Sequence, residues 1–174
     1  MEDFLNPGAI LKKLELHKDL VAADFGSGSG GWALPLAKKL EDGKVYAIDI
    51  LAEPLSALRS KANLEKISNI ETILSNIESP QGSTLPPSSV DLVLTTNLLF
   101  QVQKKERIFE EAKKILKADG QMLVVDWKKD AAFGPRENRI TKEEVKQLAE
   151  KYDFKLKKEF EAGKYHYGLV FQRP

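Results

Sequence analysis

Apolar and polar positions along the chain alternate in two rhythms, one with a spacing of two and one with a spacing of three to four, and they take turns. Short apolar runs at Val21–Phe25, Lys44–Asp49, Ile70–Leu74, Val90–Thr96 and Met122–Trp127 predict strands. Between them, Trp32, Ala33, Leu34, Leu36, Ala37 and Leu40 predict a helix with a broad buried face, Pro35 being tolerated near its first turn. Residues 53–65 predict a second helix with Leu55, Leu58, Ala62 and Leu64 turned inward. Residues 104–116 predict a third, with Ile108, Phe109, Ala112, Ile115 and Leu116 on its core face and Asp119-Gly120 closing it. A fourth starts at the capping box Thr141-x-x-Glu144.

The ends of the chain follow different patterns. Residues 4–18 combine Pro7 with Ile10, Leu11, Leu14 and Leu16, which predicts a short N-terminal helical segment, either over a rim of the site or packed on the sheet edge. At the other end, residues 154–160 and 165–171 are strand-like and separated by Glu161-Ala162-Gly163-Lys164, a spacing that suits a hairpin. The serine- and proline-rich residues 78–89 predict a loop, and so do the basic residues 128–140. No repeat and no linker between two cores is visible, so residues 1–174 are expected to form one domain. Strand–helix alternation predicts an α/β, doubly wound sheet with right-handed crossovers.

Composition narrows the chemistry. The 174 residues contain no cysteine and two histidines, which removes disulfides and thiolate chemistry, and no metal site is expected. No apolar run reaches the roughly 20 residues of a membrane helix, and Met1-Glu2-Asp3 is acidic where a signal peptide is basic, so a cytoplasmic location without membrane partners is expected. The net charge is +1; residues 1–100 hold 9 basic and 13 acidic residues against 18 and 13 in the remainder, a mild asymmetry that falls short of a nucleic-acid signature.

The candidate chemistry sits at the end of the first strand, where Asp24-Phe25-Gly26-Ser27-Gly28-Ser29-Gly30-Gly31 places four glycines in six positions. Glycine tolerates positive φ and lets a ligand approach bare backbone. Gly26, Gly28 and Gly31 match the G-x-G-x-x-G of dinucleotide binding, while Asp24, Gly26, Gly28 and Gly30 match D-x-G-x-G-x-G. Asp24 discriminates between them: a carboxylate there repels a pyrophosphate at the helix N-terminus and favours a cationic ligand. S-adenosylmethionine, with its sulfonium and ammonium, is such a ligand, whereas a nicotinamide dinucleotide is disfavoured. Asp49 lies 19 residues beyond Gly30 at the end of the next strand, the position from which an acid takes ribose hydroxyls. Asn76 follows the third strand, where an amide can meet an adenine edge.

These residues resemble a class I S-adenosylmethionine-dependent methyltransferase of the type 11, ubiquinone/menaquinone-biosynthesis-like group. The resemblance rests on Asp24 to Gly30, on Asp49 after Val45-Tyr46-Ala47-Ile48, on Val90 to Leu94 running into Asn97, and on Leu116 to Gly120. It implies a Rossmann-like sheet of seven strands, mostly parallel, with an antiparallel C-terminal hairpin strand. It further implies that Gly26, Gly28 and Gly30 line the methionine and ribose portions, that Asp49 holds the ribose, that Ile50, Asn76 and Ile77 border the adenine, and that Asn97 lies beside the methionine. Ser27 stands where the family often has Cys, and Asn76 where it often has Asp, without loss of hydrogen-bonding capacity.

The implied function is methyl transfer to a small-molecule acceptor, giving S-adenosylhomocysteine. A non-catalytic cofactor-binding module and an RNA methyltransferase remain as alternatives. Asn97-Leu98-Leu99-Phe100 lacks the Asn/Asp-Pro-Pro-aromatic motif that grips planar amines, and Lys128 and Glu159 are fragments of a ribose-methylating tetrad whose acid position holds Asn97. His166 reads as a packed strand residue ahead of a general base, because no partner acid can be assigned to it; His17 reads as solvated, and Asp126, Trp127 and Lys128 either end a strand or form an acceptor wall.

Overall fold

The structure, a computed structural model, describes residues 5–174, so the acidic Met1-Glu2-Asp3 lies outside the described residues. Twelve elements follow one another: α1 (Pro7–Leu11), β1 (Val21–Phe25), α2 (Ala33–Lys39), β2 (Lys44–Asp49), α3 (Ala52–Leu64), β3 (Ile70–Leu74), β4 (Val90–Thr96), α4 (Lys105–Ile115), β5 (Leu116–Trp127), α5 (Lys142–Lys151), β6 (Lys155–Glu161) and β7 (His166–Gln172). The strands form one sheet in the order β3-β2-β1-β4-β5-β7-β6. β1 to β5 pair in parallel, and β7 inserts antiparallel between β5 and β6. The hairpin therefore contributes the antiparallel strand of the predicted seven-stranded sheet, and its other strand closes the edge.

Alternation along the strands divides the core in two. Val93, Val124, Tyr167 and Phe171 face Phe109 of α4 and Val145 of α5, while Ala22, Leu94, Leu123 and Val170 face Ile10 of α1, Leu36 of α2 and Leu58 of α3. α1 is capped by Asn6, whose Oδ1 accepts from Ala9 N at 3.0 Å, and Leu11 and Leu14 seal it into the second core. No described residue of the 5–18 segment lines the crevice below.

Two local expectations are corrected. Leu64 is 84% exposed rather than inward. It stands two residues past Ala62, about 200° round the helix, so the residue after the buried series faces solvent. The helix expected to run to Leu116 and close at Asp119-Gly120 stops at Ile115, because Leu116 already pairs with Val90 and β5 begins there. A register shift between Val90 and Leu92 absorbs the extra residues, Asp119 adopting a φ of 62°. The capping box of α5 forms as expected, with Glu144 N donating to Thr141 Oγ1 at 3.1 Å and Thr141 N to Glu144 Oε2 at 2.7 Å. Thr141→Ala is expected to cost about 1 kcal/mol, read as a lower urea midpoint with an unchanged slope.

Candidate cofactor site

The carboxyl ends of β1, β2, β3 and β4 open into a crevice of about 420 Å³, within the range of small-molecule sites. Two larger hollows, about 500 Å³ between α4 and α5 and about 770 Å³ beside β6, are lined by no residue of β1 to β4. Of the ten residues singled out from sequence, Gly26, Gly28, Asp49, Ile50, Asn76 and Ile77 line the crevice together. Asp24, Ser27, Gly30 and Asn97 do not line it; Asp24 is on β1, Ser27 and Gly30 are in the loop that follows it, and Asn97 comes directly after β4.

The glycine loop is held by its backbone. Gly26 N and Ser27 N both donate to Ile48 O at 2.9 Å, and Gly30 N donates to Ser27 O at 3.1 Å before Leu34 N returns to Gly30 O at 3.0 Å and starts α2. The glycines do different work. A Cβ at Gly26 (φ 70°) would meet Leu98 Cδ1 at 2.8 Å, and one at Gly30 (φ 95°) would meet Leu58 at 3.0 Å and Leu34 at 3.1 Å, so Gly30 serves helix packing. At Gly28 (φ 53°) a Cβ would meet nothing within 4 Å and would stand in the crevice. Gly28→Ala is therefore expected to lose ligand affinity with a folding cost of roughly 1–2 kcal/mol from φ alone, and Gly26→Ala, at a similar φ, to carry a similar folding cost while pushing the end of the Leu98 side chain off the crevice wall. Parallel calorimetric titration and urea unfolding of the two variants check this.

Asp49 is tied to the loop. Its Oδ2 accepts from Gly28 N at 2.8 Å and its Oδ1 from Leu51 N at 3.0 Å, leaving further lone pairs on both oxygens. Asn76 Oδ1 accepts from Glu78 N at 2.9 Å, which directs its amide N–H₂ outward. Ile77 is buried and Ile50 is 60% exposed, giving the crevice an apolar wall and an apolar lip.

Beneath the loop, Asp24 is buried and neither carboxylate oxygen has a hydrogen-bond partner. Burial, with the charge of Asp49 adding to it, pushes its carboxyl up to about 8. Ser27 Oγ, Thr95 Oγ1 and Asn97 Oδ1 are likewise buried without partners, so unpaired polar atoms collect at the ends of β1 and β4. Asn97 has a φ of 50°; its N–H donates to Val125 O at 2.8 Å and its carbonyl accepts from Gln101 Nε2 at 2.6 Å, which turns the chain from β4 back over the crevice.

That turn supplies a wall absent from the sequence reading: Leu98, Gln101 and Val102 face the crevice, opposite Leu51 and Pro54. Asp126 holds the turn, its Oδ2 accepting from Leu99 N at 3.0 Å while Oδ1 accepts from Trp127 N at 2.8 Å. Burial raises this carboxyl to about 6, the backbone N–H groups opposing the rise. Glu78 crosses from the β3 side and accepts from Gln103 N at 2.9 Å and Lys104 N at 2.6 Å, capping α4 from a distance. Local capping signals do not reveal it, because Lys104, the N-cap residue, contributes no side-chain bond.

The remaining candidates are placed apart from the crevice. Lys128 pairs with Glu161, and Glu159 with Lys142 and Lys146 at 2.6 and 2.5 Å, so Lys128 and Glu159 are engaged separately. His17 is exposed and His166 is buried in the strand. Among the described residues no cluster of side chains could hold a metal ion, and no helix is long and apolar enough to cross a membrane.

Comparison with known proteins agrees with this architecture. The curated ubiquinone/menaquinone biosynthesis C-methyltransferase UbiE of Hydrogenovibrio crunogenus is 29% identical over 111 residues, 63% of this chain; the match spans 42% of that relative's length. The crystal structure of a SAM-dependent methyltransferase from Aquifex aeolicus superposes with a TM-score of 0.88 at 28% identity, covering 98% of this chain and 90% of the other. The PH0226 protein of Pyrococcus horikoshii shares the fold, with a TM-score of 0.81 at 19% identity over 97% and 88% of the two chains. The family model described as a methyltransferase domain matches residues 16–170, and the chain belongs to that methyltransferase-domain family.

Proposed function

We propose that this chain transfers a methyl group from S-adenosylmethionine to a small-molecule acceptor. The observation that carries this is the pairing of a partnerless buried Asp24 with an open Gly28 and a loop-anchored Asp49 at one set of strand ends, in a chain of the methyltransferase-domain family.

The residues suit the cofactor's parts. Asp24, protonated in the free chain, becomes a negative field beneath the cationic methionine end once that cation stabilises its ionised form, and Ser27 and Asn97 offer unpaired polar atoms beside it. Asp49 keeps acceptor capacity for the ribose hydroxyls. Ile50 and Ile77 flank the adenine, with the amide N–H₂ of Asn76 at its edge. Gly28, where a Cβ would meet nothing, admits the ligand against bare backbone, and Gly26 lies beside it under Leu98.

When bound, the cofactor supplies a methyl group on a sulfonium whose leaving group is a neutral thioether. The chain's own contribution is orientation: it aligns an acceptor lone pair behind the methyl carbon and excludes water, a gain that in well-oriented systems reaches effective molarities of roughly 10⁵ M and above. Calorimetric titration with S-adenosylhomocysteine tests the cofactor assignment, and absence of binding by the parent protein overturns it. Appearance of S-adenosylhomocysteine from S-adenosylmethionine only when an acceptor is added tests transfer.

A further inference from the structure

An open sheet ends in two strands that lack a neighbour on one side, and the two edges of this sheet differ in kind. β6, at one edge, has charges at five of its seven positions and a register shift between Leu156 and Lys158 that leaves Lys157 outside the ladder. Charge and bulges keep an edge strand from pairing with another chain. β3, at the other edge, reads Ile70-Glu71-Thr72-Ile73-Leu74, with one charge in five positions, no proline and no bulge. That one charge is held by Lys44 of β2 at 2.5 Å, and Leu74 is 61% exposed.

Pairing with β2 decides which main-chain groups of β3 face outward. Val45 N donates to Asn69 O at 2.9 Å and Ser75 N donates to Asp49 O at 3.0 Å, so the odd-numbered residues between them turn their N–H and C=O toward β2. Ile70, Thr72 and Leu74 turn theirs away from the sheet, and among the described residues these groups have no partner elsewhere. Their side chains share one face of the strand, the face of α3, from which Arg59 Nη1 donates to Thr72 Oγ1 at 2.8 Å.

The three outward residues are spaced evenly about Thr72, which makes the strand complementary to its own antiparallel copy. With Thr72 opposite the second copy's Thr72, Ile70 falls opposite its Leu74, and Leu74 opposite its Ile70. In each of these pairs both residues present outward N–H and C=O groups, so both bonds of the pair close. The exposed Leu74 gains an apolar neighbour on its own face. Glu71 falls opposite Ile73, so no like charges meet directly across the strands. A slip of one residue sets outward groups against inward-turned ones. A slip of two sets Leu74 or Ile70 opposite Thr72 and gives up the contact between isoleucine and leucine.

We infer that the β3 edge is an interface for a second copy of this chain, which pairs antiparallel through Ile70, Thr72 and Leu74 about a two-fold axis at Thr72 and continues the sheet from one protomer into the other. The axis runs perpendicular to the sheet, an isologous arrangement of the commonest oligomer class. One register satisfies the outward main-chain groups and the side chains together, and this self-complementarity selects a copy of the same strand over a strand of unrelated sequence. Five residues make a small contact, so the dimer forms with rising concentration and dissociates on dilution. The two Arg59 guanidinium groups approach each other beside the axis, so pairing strengthens as salt screens them. Ser75 and Asn76, directly after Leu74, line the crevice, and the second copy therefore runs past that wall of each cofactor site.

The test uses the full chain. Sedimentation velocity over a ~100-fold range of concentration is expected to show monomer passing into dimer, more readily at high salt. Over the same range, amide exchange is expected to slow at Ile70, Thr72 and Leu74 and to stay unchanged at Glu71 and Ile73, whose N–H groups already bond to β2. The chain has no cysteine, so a single introduced one can link only to another copy. Thr72→Cys is expected to cross-link on mild oxidation, its Cα standing about 5.5 Å from that of the second copy, whereas Leu74→Cys is not, the two positions lying roughly 13 Å apart along the strands. Leu74→Lys, a charge at an exposed position, is expected to weaken the dimer at least about tenfold. A chain that stays monomeric throughout overturns the inference. A dimer whose Ile70, Thr72 and Leu74 amides exchange as fast as in the monomer overturns it too, as does equal cross-linking of Thr72→Cys and Leu74→Cys. If Thr72→Cys fails to fold, amide exchange in the parent decides alone.

Discussion

Replacing Asp49 with Ala is expected to weaken S-adenosylhomocysteine binding by about 1.5–3 kcal/mol, a 10- to 150-fold rise in Kd, placing it among the largest single effects in the crevice. The carboxylate already holds Gly28 N and Leu51 N, so its removal frees the floor and lip of the crevice as well as the proposed ribose contact. The two contributions separate with a second ligand. If Asp49 also holds the ribose, a 2′-deoxy analogue binds the parent more weakly than S-adenosylhomocysteine, and the difference vanishes in Asp49→Ala. If the residue only pins the loop, the parent treats both ligands alike. Equal affinity of parent and variant for S-adenosylhomocysteine would remove Asp49 from the site altogether.

The contrast between Asp49 and the wall opposite it shows what local sequence pattern can carry. Asp49 ends an apolar run at a fixed distance from a glycine loop, and both facts lie within one βαβ unit of about 30 residues. Strands β1 to β4 were legible for the same reason: apolar runs bounded by polar or turn residues need no distant partner to be recognised. Leu98, Gln101 and Val102 belong to a turn shaped by Asn97 at positive φ and by Asp126, 27 residues away from the Leu99 N–H it accepts. No periodicity encodes a bond of that span. The start of β5 was missed similarly, since Leu116 continues the apolar face of α4 and only its pairing with Val90 draws it into the sheet. Gly30 shows a third case: the motif correctly marked it as glycine-requiring, but the requirement comes from Leu34 and Leu58 packed against it.

Asp24 gives the second large expected effect, and its sign follows from linkage. Burial raises its native carboxyl to about 8 from an ordinary 3.8, so between about pH 4 and pH 8 the folded protein holds a proton that the unfolded chain has released. Stability then falls as pH rises, by up to about 1.4 kcal/mol per unit for this one group. Asp24→Asn removes the titration. From pH 5 to pH 7.5 the parent is expected to lose about 2–3 kcal/mol relative to the variant in urea unfolding, and matching slopes would mean that Asp24 is not protonated in the fold. A cationic ligand reverses the preference, because its charge stabilises the ionised carboxylate. Binding of S-adenosylmethionine should therefore expel a proton below pH 8, seen as a binding enthalpy that differs between phosphate and Tris buffers. Affinity should climb toward pH 8, with both effects absent in Asp24→Asn. The two predictions are coupled: the charge of Asp49 contributes to the elevation at Asp24, so Asp49→Ala should ease the buried proton off at lower pH and flatten the same stability slope from the other side of the loop.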